Sequence, residues 1–245
     1  MQQEPRTAIV TGAGKRAGAE IARGLVEDGW TVIAHVHHDS DDVPEGTVKA
    51  VADLADAGCA DAVFGPAAGL PPVRLLVNNA ARFAWDGFSE FSIAEFDAHL
   101  TINVRAPAVL TERFARSHEG PGDALVVNIL DAKLAAPNPD YLSYSLSKQA
   151  LAGFTDLAAR ALAPRGIRVN GIAPGLMLRS SGQSAENFRV MHANNPLRRG
   201  VEPGDLLDAI RYLVGARCVT GQMLVIDSGQ RFMALDRDVQ FLEGR

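Results

Sequence analysis

The feature that most constrains the fold is a glycine-rich turn near the start of the 245-residue chain. The turn, TGAGKRAG at residues 11–18, follows an apolar run at 7–10 without a break. Behind it, apolar residues recur at helical spacing up to Asp28 and Gly29, and a second apolar run follows at 30–34. The order strand, glycine-rich turn, helix and strand predicts a βαβ unit. Such a turn brings backbone N–H groups and a helix N-terminus close to a phosphate.

The rest of the chain continues this alternation. Further strands are predicted at 47–51, 73–77, 124–130, 167–172 and 222–226. Helices are predicted at 92–114, around 144–148 and at 203–214. The connection at 35–46 is too short for a full crossover, so at most one helical turn is expected there. The pattern predicts one α/β domain over residues 1–245, with a doubly wound parallel sheet of about seven strands and helices on both faces.

Composition excludes several classes of function. The net charge is −5 and the basic residues are scattered, which argues against a nucleic-acid partner. Two cysteines, Cys59 and Cys218, provide neither a disulfide framework nor a metal-ligand pair, and no metal site is expected. No apolar run reaches the roughly 18 residues that a membrane span needs. With a polar N-terminus that does not resemble a signal peptide, the expected location is the cytoplasm.

Tyr144 and Lys148 are the first candidates for chemistry. Four residues apart on a helix, they lie on one face. A nearby ammonium favours an ionised phenol, so Lys148 is expected to lower the pKa of Tyr144 and let it act as an acid near neutral pH. Asp131 closes the strand at 124–130 and is expected at the sheet edge where ligands bind. Taken alone, the pair is also consistent with a chance pattern on an amphipathic helix, and Asp131 with a strand-end cap.

Two segments near the C-terminus are treated separately. Residues 176–200 are predicted to form a substrate lid, because most of this stretch is polar with scattered apolar residues, which suits a mobile loop. The tail at 229–245 has a mixed composition and is a candidate for packing on a neighbouring subunit.

In order and spacing, the motifs together resemble those of the short-chain dehydrogenase/reductase family. They are TGAGKRAG at 11–18, Asp53, NNA at 78–80, Asn103, Tyr144 with Lys148, and Pro174 with Gly175. The resemblance runs from residue 7 to about 229. It implies a Rossmann-type fold, a nicotinamide cofactor lying across the strand ends, and a homotetramer.

Two departures from the family pattern indicate which subfamily the chain resembles. Most members have a glycine where this chain has Arg16, and a serine where it has Asp131. Both residues are similar to those of pteridine reductases and the related dihydromonapterin reductases. Phe83 stands at the position of the aromatic residue that stacks on the pterin, and the histidine-rich stretch at 35–38 is also similar.

The resemblance implies a role for each of several individual residues. The implied catalytic residues are Asp131, Tyr144, Lys148 and Asn103. The implied cofactor-binding residues are Gly12, Lys15, Arg16, Ala17, Gly18, His37, His38, Asp53, Leu54, Asn79, Ala80, Ala81, Leu130, Tyr144, Lys148, Pro174, Gly175, Leu176 and Met177. The implied substrate-binding residues are Arg16, Phe83, Asp131, Tyr144 and Leu176. Asn103 is expected either to support a water relay behind the lysine or to kink its helix.

The end of the second strand decides the cofactor. Relatives that prefer NAD carry an acidic residue where this chain has Val36, which favours NADPH. His37 and His38, with Lys15 nearby, stand where relatives that prefer NADP carry arginine, and Asp39 is expected to oppose a phosphate. Because histidine changes its charge near pH 6.5, the binding of NADPH is expected to depend on pH.

The implied reaction is hydride transfer from NADPH to a C=N bond of a dihydropterin, with Tyr144 and Asp131 supplying protons. A serine at position 131 would donate a hydrogen bond to a carbonyl oxygen, whereas an ionised aspartate accepts bonds from the N–H groups of a pterin. Two alternatives stay open. One is a carbonyl or 3-oxoacyl-thioester reductase of the same family, and the other is a non-catalytic NADP-binding sensor.

Overall fold

The computed structural model describes residues 4–119 and 123–242, and seven parallel strands form its sheet. The strands are β1 Thr7–Val10, β2 Thr31–Val36, β3 Thr47–Val51, β4 Val73–Asn78, β5 Ala124–Ile129, β6 Ile167–Pro174 and β7 Met223–Ile226. Their order across the sheet is β3-β2-β1-β4-β5-β6-β7. The predicted doubly wound parallel sheet is confirmed.

Helices cover both faces of the sheet. They are α1 Arg16–Glu27, α2 Cys59–Phe64, α3 Ile93–Leu100, α4 Ala106–Ser117, α5 Leu142–Leu162, α6 Ala185–Ala193 and α7 Pro203–Gly215. The short connection between β2 and β3 contains no helix, as its length required, and α2 follows β3 instead. Helix α6 lies inside the stretch that is predicted to form the lid.

The predicted helix at 92–114 is two helices joined by a π-helical turn at Thr101–Arg105. Pro107 lies at the start of α4, where its missing N–H would otherwise be one of the unpaired groups of the first turn. The register change therefore lets the chain pass Pro107 without a break, and it also turns Asn103 into the protein interior.

Alternation along the strands separates two apolar cores. In β1, Ala8 and Val10 pack with residues of α1 and α7, while Ile9 faces the opposite side and packs with residues of α2, α4 and α5. Strand residues that are buried on both faces explain why the strands read as continuous apolar runs rather than as alternating patterns.

The strand order places the site. The chain crosses from β1 to β2 and β3 on one side and then returns to β4 on the other side of β1. In such sheets a crevice opens beyond the carboxyl ends of the strands at this switch point. The glycine-rich turn after β1, the segment after β4 and Asp131 after β5 therefore converge at one edge.

Candidate active site

A cavity of about 1300 Å³ occupies this edge. Every residue with a predicted catalytic, cofactor-binding or substrate-binding role lines it, with the exception of Asn103. The cavity is also lined by residues that the sequence did not single out, which include His35, Lys133, Arg231, Arg237, Asp238 and Val239.

The turn after β1 is shaped by two glycines. Gly12 has a φ of +64°, and a Cβ atom on Gly18 would lie only 2.0 Å from the carbonyl oxygen of Gly12. Neither position accepts a side chain at low cost. No side chain caps the N-terminus of α1 at Lys15, so its first N–H groups lack a side-chain partner at the edge of the cavity. A close-approach turn with an uncapped helix N-terminus fits the pyrophosphate of a dinucleotide.

Arg16 has a backbone conformation that favours glycine. Its φ is +55°, in the left-handed region that disfavours residues with a Cβ atom. The guanidinium donates to the carbonyl oxygen of Arg179 in the predicted lid at 3.1 Å. Arg16 therefore occupies an unfavourable backbone conformation and in return connects the cofactor turn to the lid.

Arg16→Gly is expected to separate these two effects. Relief of the backbone should raise the melting temperature by roughly 2–4 °C, the change that corresponds to about 1 kcal/mol in a domain of this size. Loss of the guanidinium should weaken NADPH and substrate binding by about tenfold. Calorimetry measures the first effect and binding titrations the second. A lower melting temperature would contradict the strain, and unchanged affinities would remove Arg16 from the site.

His35 is a site residue that the sequence did not identify. Its Nδ1 accepts from the backbone N–H of Gly12 at 3.1 Å, and its Nε2 lies 3.0 Å from the carbonyl oxygen of Ala52. These partners require a neutral ring with the proton on Nε2. Burial lowers the pKa of His35 and so favours that form. Its place within a buried strand was the available signal, because a histidine there needs a partner on each ring nitrogen.

Thr11 fixes the segment after β4. Its hydroxyl accepts from the backbone N–H groups of Asn79 at 2.9 Å and Ala80 at 3.0 Å, and the Asn79 side chain donates back to the Thr11 carbonyl oxygen at 2.9 Å. The ends of β1 and β4 are thereby bonded to each other.

The exposed end of β2 carries the two remaining histidines. The rings of His37 and His38 lie 4.0 Å apart between centroids, and Nε2 of His37 is 3.5 Å from a carboxylate oxygen of Asp53. Asp39, which is expected to oppose a phosphate, does not line the cavity: its side chain is exposed and lies 3.9 Å from Lys49. The carboxylate that lines the cavity beside His38 is Asp41, which accepts from the His38 N–H at 2.9 Å.

The end of β5 and the helix α5 bring together Asp131, Tyr144 and Lys148, as expected from the strand-end position and the helical spacing. The Tyr144 hydroxyl donates to Oδ2 of Asp131 at 2.8 Å, and Oδ1 of Asp131 accepts from the N–H of Lys133 at 2.8 Å. The Lys148 ammonium donates to the Ile129 carbonyl oxygen at 2.6 Å and lies 5.6 Å from the Tyr144 ring centroid. A phenol and a carboxylate thus share one hydrogen bond at the end of β5.

The predicted effect of Lys148 on Tyr144 was wrong. Burial and the adjacent carboxylate of Asp131 raise the pKa of Tyr144 well above its usual value. Burial likewise raises the pKa of Asp131 and lowers that of Lys148 to about 8. Helical spacing placed the lysine correctly but could not show that a carboxylate is hydrogen-bonded to the phenol. Tyr144 is therefore held as a protonated donor.

Asn103 lies behind the cavity wall. Its amide donates to the Arg82 carbonyl oxygen at 3.0 Å and to the Ser147 hydroxyl at 2.9 Å, and its oxygen accepts from the Arg82 N–H at 2.8 Å. Ser147 in turn donates to the Tyr144 carbonyl oxygen at 2.7 Å. Asn103 ties the segment after β4 to the helix that carries Tyr144, and it lies within the π-helical turn. The water relay stays a prediction.

Phe83 faces the cavity beside these groups. Its ring stacks on Tyr141 with centroids 4.3 Å apart and meets the ring of Tyr144 edge-on at 4.7 Å. The side chain is still 40% exposed, so one face of the ring remains open to a flat ligand.

In residues 4–119 and 123–242, no group of three or more His, Cys, Asp or Glu side chains is arranged to hold a metal ion. None of the helices in those same ranges is long and apolar enough to cross a membrane.

Residues 12–231 match a family model described as enoyl-(acyl carrier protein) reductase. The chain belongs to the short-chain dehydrogenase/reductase family. This family uses nicotinamide dinucleotides, so the enzyme class expected from the sequence, a nicotinamide-dependent oxidoreductase, is confirmed at that level.

Several members of the family are similar over nearly the whole chain. Carbonyl reductase [NADPH] 2 of Sus scrofa is 30% identical, with 91% of this chain and 95% of the relative covered. Dihydromonapterin reductase of Klebsiella pneumoniae is 29% identical, with 94% and 98% covered. The structure of FolM alternative dihydrofolate reductase 1 from Brucella suis in complex with NADP has a TM-score of 0.85 and 33% identity, with 94% and 96% covered. The expected pteridine-reductase resemblance is thus present among the relatives of this short-chain reductase, alongside carbonyl reductases.

Proposed function

We propose that this short-chain reductase transfers hydride from NADPH to a C=N bond of a dihydropterin. The observation that carries the proposal is the hydrogen bond of 2.8 Å between the Tyr144 hydroxyl and the Asp131 carboxylate. This pair places a proton donor and a carboxylate acceptor side by side at the substrate end of the cavity.

The chain's own groups supply binding and protons. Bound NADPH supplies the hydride. The turn at 11–18 and the N-terminus of α1 would hold its pyrophosphate, and Lys148 would hold the nicotinamide ribose. Tyr144 and Asp131 hold the proton that the substrate nitrogen takes up as the neighbouring carbon is reduced. Because burial and Asp131 keep the pKa of Tyr144 high, the phenol stays protonated until it donates.

Asp131 determines which substrates fit. An ionised carboxylate offers only acceptors, so it repels the oxygen of a ketone and attracts the amino and ring N–H groups of a pterin. Phe83 provides an aromatic face for the ring system. Arg16 and Leu176 also line the cavity. A flat heterocycle rich in N–H donors satisfies all of these groups.

NADPH is preferred over NADH in this proposal. The end of β2 carries Val36 in place of a carboxylate, and His37, His38 and Lys15 line the cavity there. Asp41 and Asp53 lie among the same side chains. The pH dependence of NADPH binding that the sequence indicates stays a prediction.

The second candidate is a carbonyl reductase, which the 30% identity to carbonyl reductase [NADPH] 2 favours. The carboxylate at position 131 opposes it for the reason given above. A non-catalytic sensor has no need of the Tyr144 and Asp131 pair or of the lysine beside it. The homotetramer and the cytoplasmic location stay predictions.

A substrate panel tests the proposal. Purified protein is assayed for NADPH and NADH oxidation with dihydromonapterin, dihydrobiopterin, dihydrofolate and a 3-oxoacyl thioester. The expected result is turnover of at least one dihydropterin with NADPH and none of the thioester. Turnover of the thioester without any dihydropterin would support the carbonyl reductase, and no turnover with NADPH bound would support the sensor.

A further inference from the structure

The C-terminal tail returns to the cavity of its own chain. Leu235, Arg237, Asp238 and Val239 line the cavity, and Val239 is buried. At the far side of the lid, Asn187 in α6 donates to the carbonyl oxygen of Leu242 at 2.7 Å. The described part of the tail, 229–242, is thus attached within this chain.

Asp140 is the anchor of the tail. Its carboxylate receives a bidentate pair from the Arg237 guanidinium, at 2.8 and 2.9 Å, and a further bond from the N–H of Asp238 at 2.7 Å. The Asp140 side chain is only 8% exposed. Bidentate charge-assisted bonds at a buried carboxylate are among the strongest polar contacts in proteins.

Lys133 connects the tail to the reacting groups. Its ammonium donates to Oδ2 of Asp238 at 3.0 Å and to the carbonyl oxygen of Asp140 at 2.9 Å. The backbone N–H of the same residue donates to Asp131 at 2.8 Å. One residue therefore holds both carboxylates, that of the tail through its side chain and that of the strand end through its backbone.

The anchored turn leads directly into the helix of Tyr144. Tyr141 precedes α5 with a φ of +57°, a conformation that needs support from its surroundings. The support comes from two sides, because its ring stacks on Phe83 at 4.3 Å and on Phe241 of the tail at 6.4 Å. Its hydroxyl also donates to Gln240.

We propose that the tail completes the substrate pocket of its own subunit, and that Asp238 is a specificity-determining residue. The proposal rests on the proposed function, of which it names a second recognition group. Asp131 and Asp238 both line the cavity, and Lys133 donates a hydrogen bond to each of the two carboxylates. Two acceptors favour a heterocycle with N–H donors on more than one edge and disfavour a neutral ketone.

Asp238→Asn removes the charge, and with it the hydrogen bond that Oδ2 accepts from Lys133, while the side chain keeps its size. The amide oxygen can still accept from the Gln240 N–H, as Oδ1 of Asp238 does at 3.1 Å. The ratio of kcat/KM for a dihydropterin to kcat/KM for a small diketone is expected to fall about tenfold, mainly through KM for the pterin. The affinity for NADPH should not change. Asp208→Asn, an exposed carboxylate paired with Arg211 on α7, is the matched control and should leave the ratio unchanged.

The pH profile provides a readout that a purely structural role would not move. The charged or titratable groups near the Tyr144 phenol are Asp131 after β5, Lys148 in α5, His99 in α3, Lys133 and Asp238. Because Asp238 contributes to the raised pKa of Tyr144, the basic limb of kcat/KM should move to lower pH in Asp238→Asn.

Three outcomes are distinct. The absence of dihydropterin turnover by the wild-type protein would contradict the proposed function itself. An active wild type with an equal loss for both substrates in Asp238→Asn, and an unmoved basic limb, would overturn the inference alone. A lower selectivity ratio with a shifted limb supports it.

Mixed oligomers decide which subunit the tail serves. Asp238→Asn is co-expressed with a Tyr144→Phe chain, so that all turnover comes from sites of the first chain. If each tail serves its own subunit, the selectivity ratio stays that of Asp238→Asn alone. Recovery toward the wild-type ratio would show that the tail acts on the partner and would overturn the assignment.

Discussion

Tyr144→Phe is expected to lower kcat for a dihydropterin by about 10²- to 10⁴-fold, the range that a positioned proton donor contributes. The phenol is the group that donates to Asp131, and no other hydroxyl of the described residues is bonded to that carboxylate. The ring stays in contact with Phe83, so the pocket should keep its shape. Steady-state kinetics with NADPH measure the loss.

Two controls accompany this variant. Its dissociation constant for NADPH should stay within about twofold of the wild type, since the hydroxyl contributes to proton transfer more than to cofactor affinity. Tyr212→Phe removes a hydroxyl from a tyrosine that is 57% exposed on α7 and should change neither constant. A Tyr144→Phe enzyme that keeps more than a tenth of wild-type kcat would assign the proton to another group.

Asp131→Ser is expected to lower activity on dihydropterins and to raise activity on carbonyl compounds. Without the carboxylate, kcat/KM for dihydropterins should fall by about 10²-fold, because both an acceptor for the substrate and the partner of Tyr144 are lost. A serine hydroxyl can donate to a carbonyl oxygen, so reduction of a small diketone should rise. Kinetics with both substrates measure the exchange.

The same variant tests the electrostatics. The carboxylate of Asp131 raises the pKa of Tyr144, so its removal lowers that pKa. A proton donor loses activity as the pH rises through its pKa. The basic limb of the residual activity should therefore move to lower pH in Asp131→Ser. Unchanged pterin kinetics, or a limb that moves upward, would remove Asp131 from its proposed role.

Most of the fold followed from local sequence. The glycine-rich turn, continuous apolar runs and helical periodicity are short-range signals, and they located all seven strands of the sheet. The sequence did not predict the interruption of the helix at 92–114, because the interruption involves tertiary contacts. In the π-helical turn at Thr101–Arg105, Asn103 contacts Arg82 and Ser147, which are distant in sequence.

For the candidate site, too, some features could be predicted from local sequence and others could not. The residues that were predicted from sequence motifs line the cavity, because strand ends and helical spacing determine where such residues lie. The electrostatics of Tyr144 could not be predicted, since its pKa depends on burial and on a contact across 13 positions. The tail could not be predicted either. Asp140 and Arg237 are 97 positions apart and neither belongs to a local pattern.

The destination of the hydride tests the account most directly. NADPH that carries deuterium at both C4 positions is incubated with the enzyme and dihydromonapterin, and the pterin product is analysed by mass spectrometry. The account predicts a tetrahydropterin that has gained one deuterium per molecule of NADPH oxidised. NADPH oxidation without label in the pterin, or label transferred only to a carbonyl compound offered in competition, would contradict it.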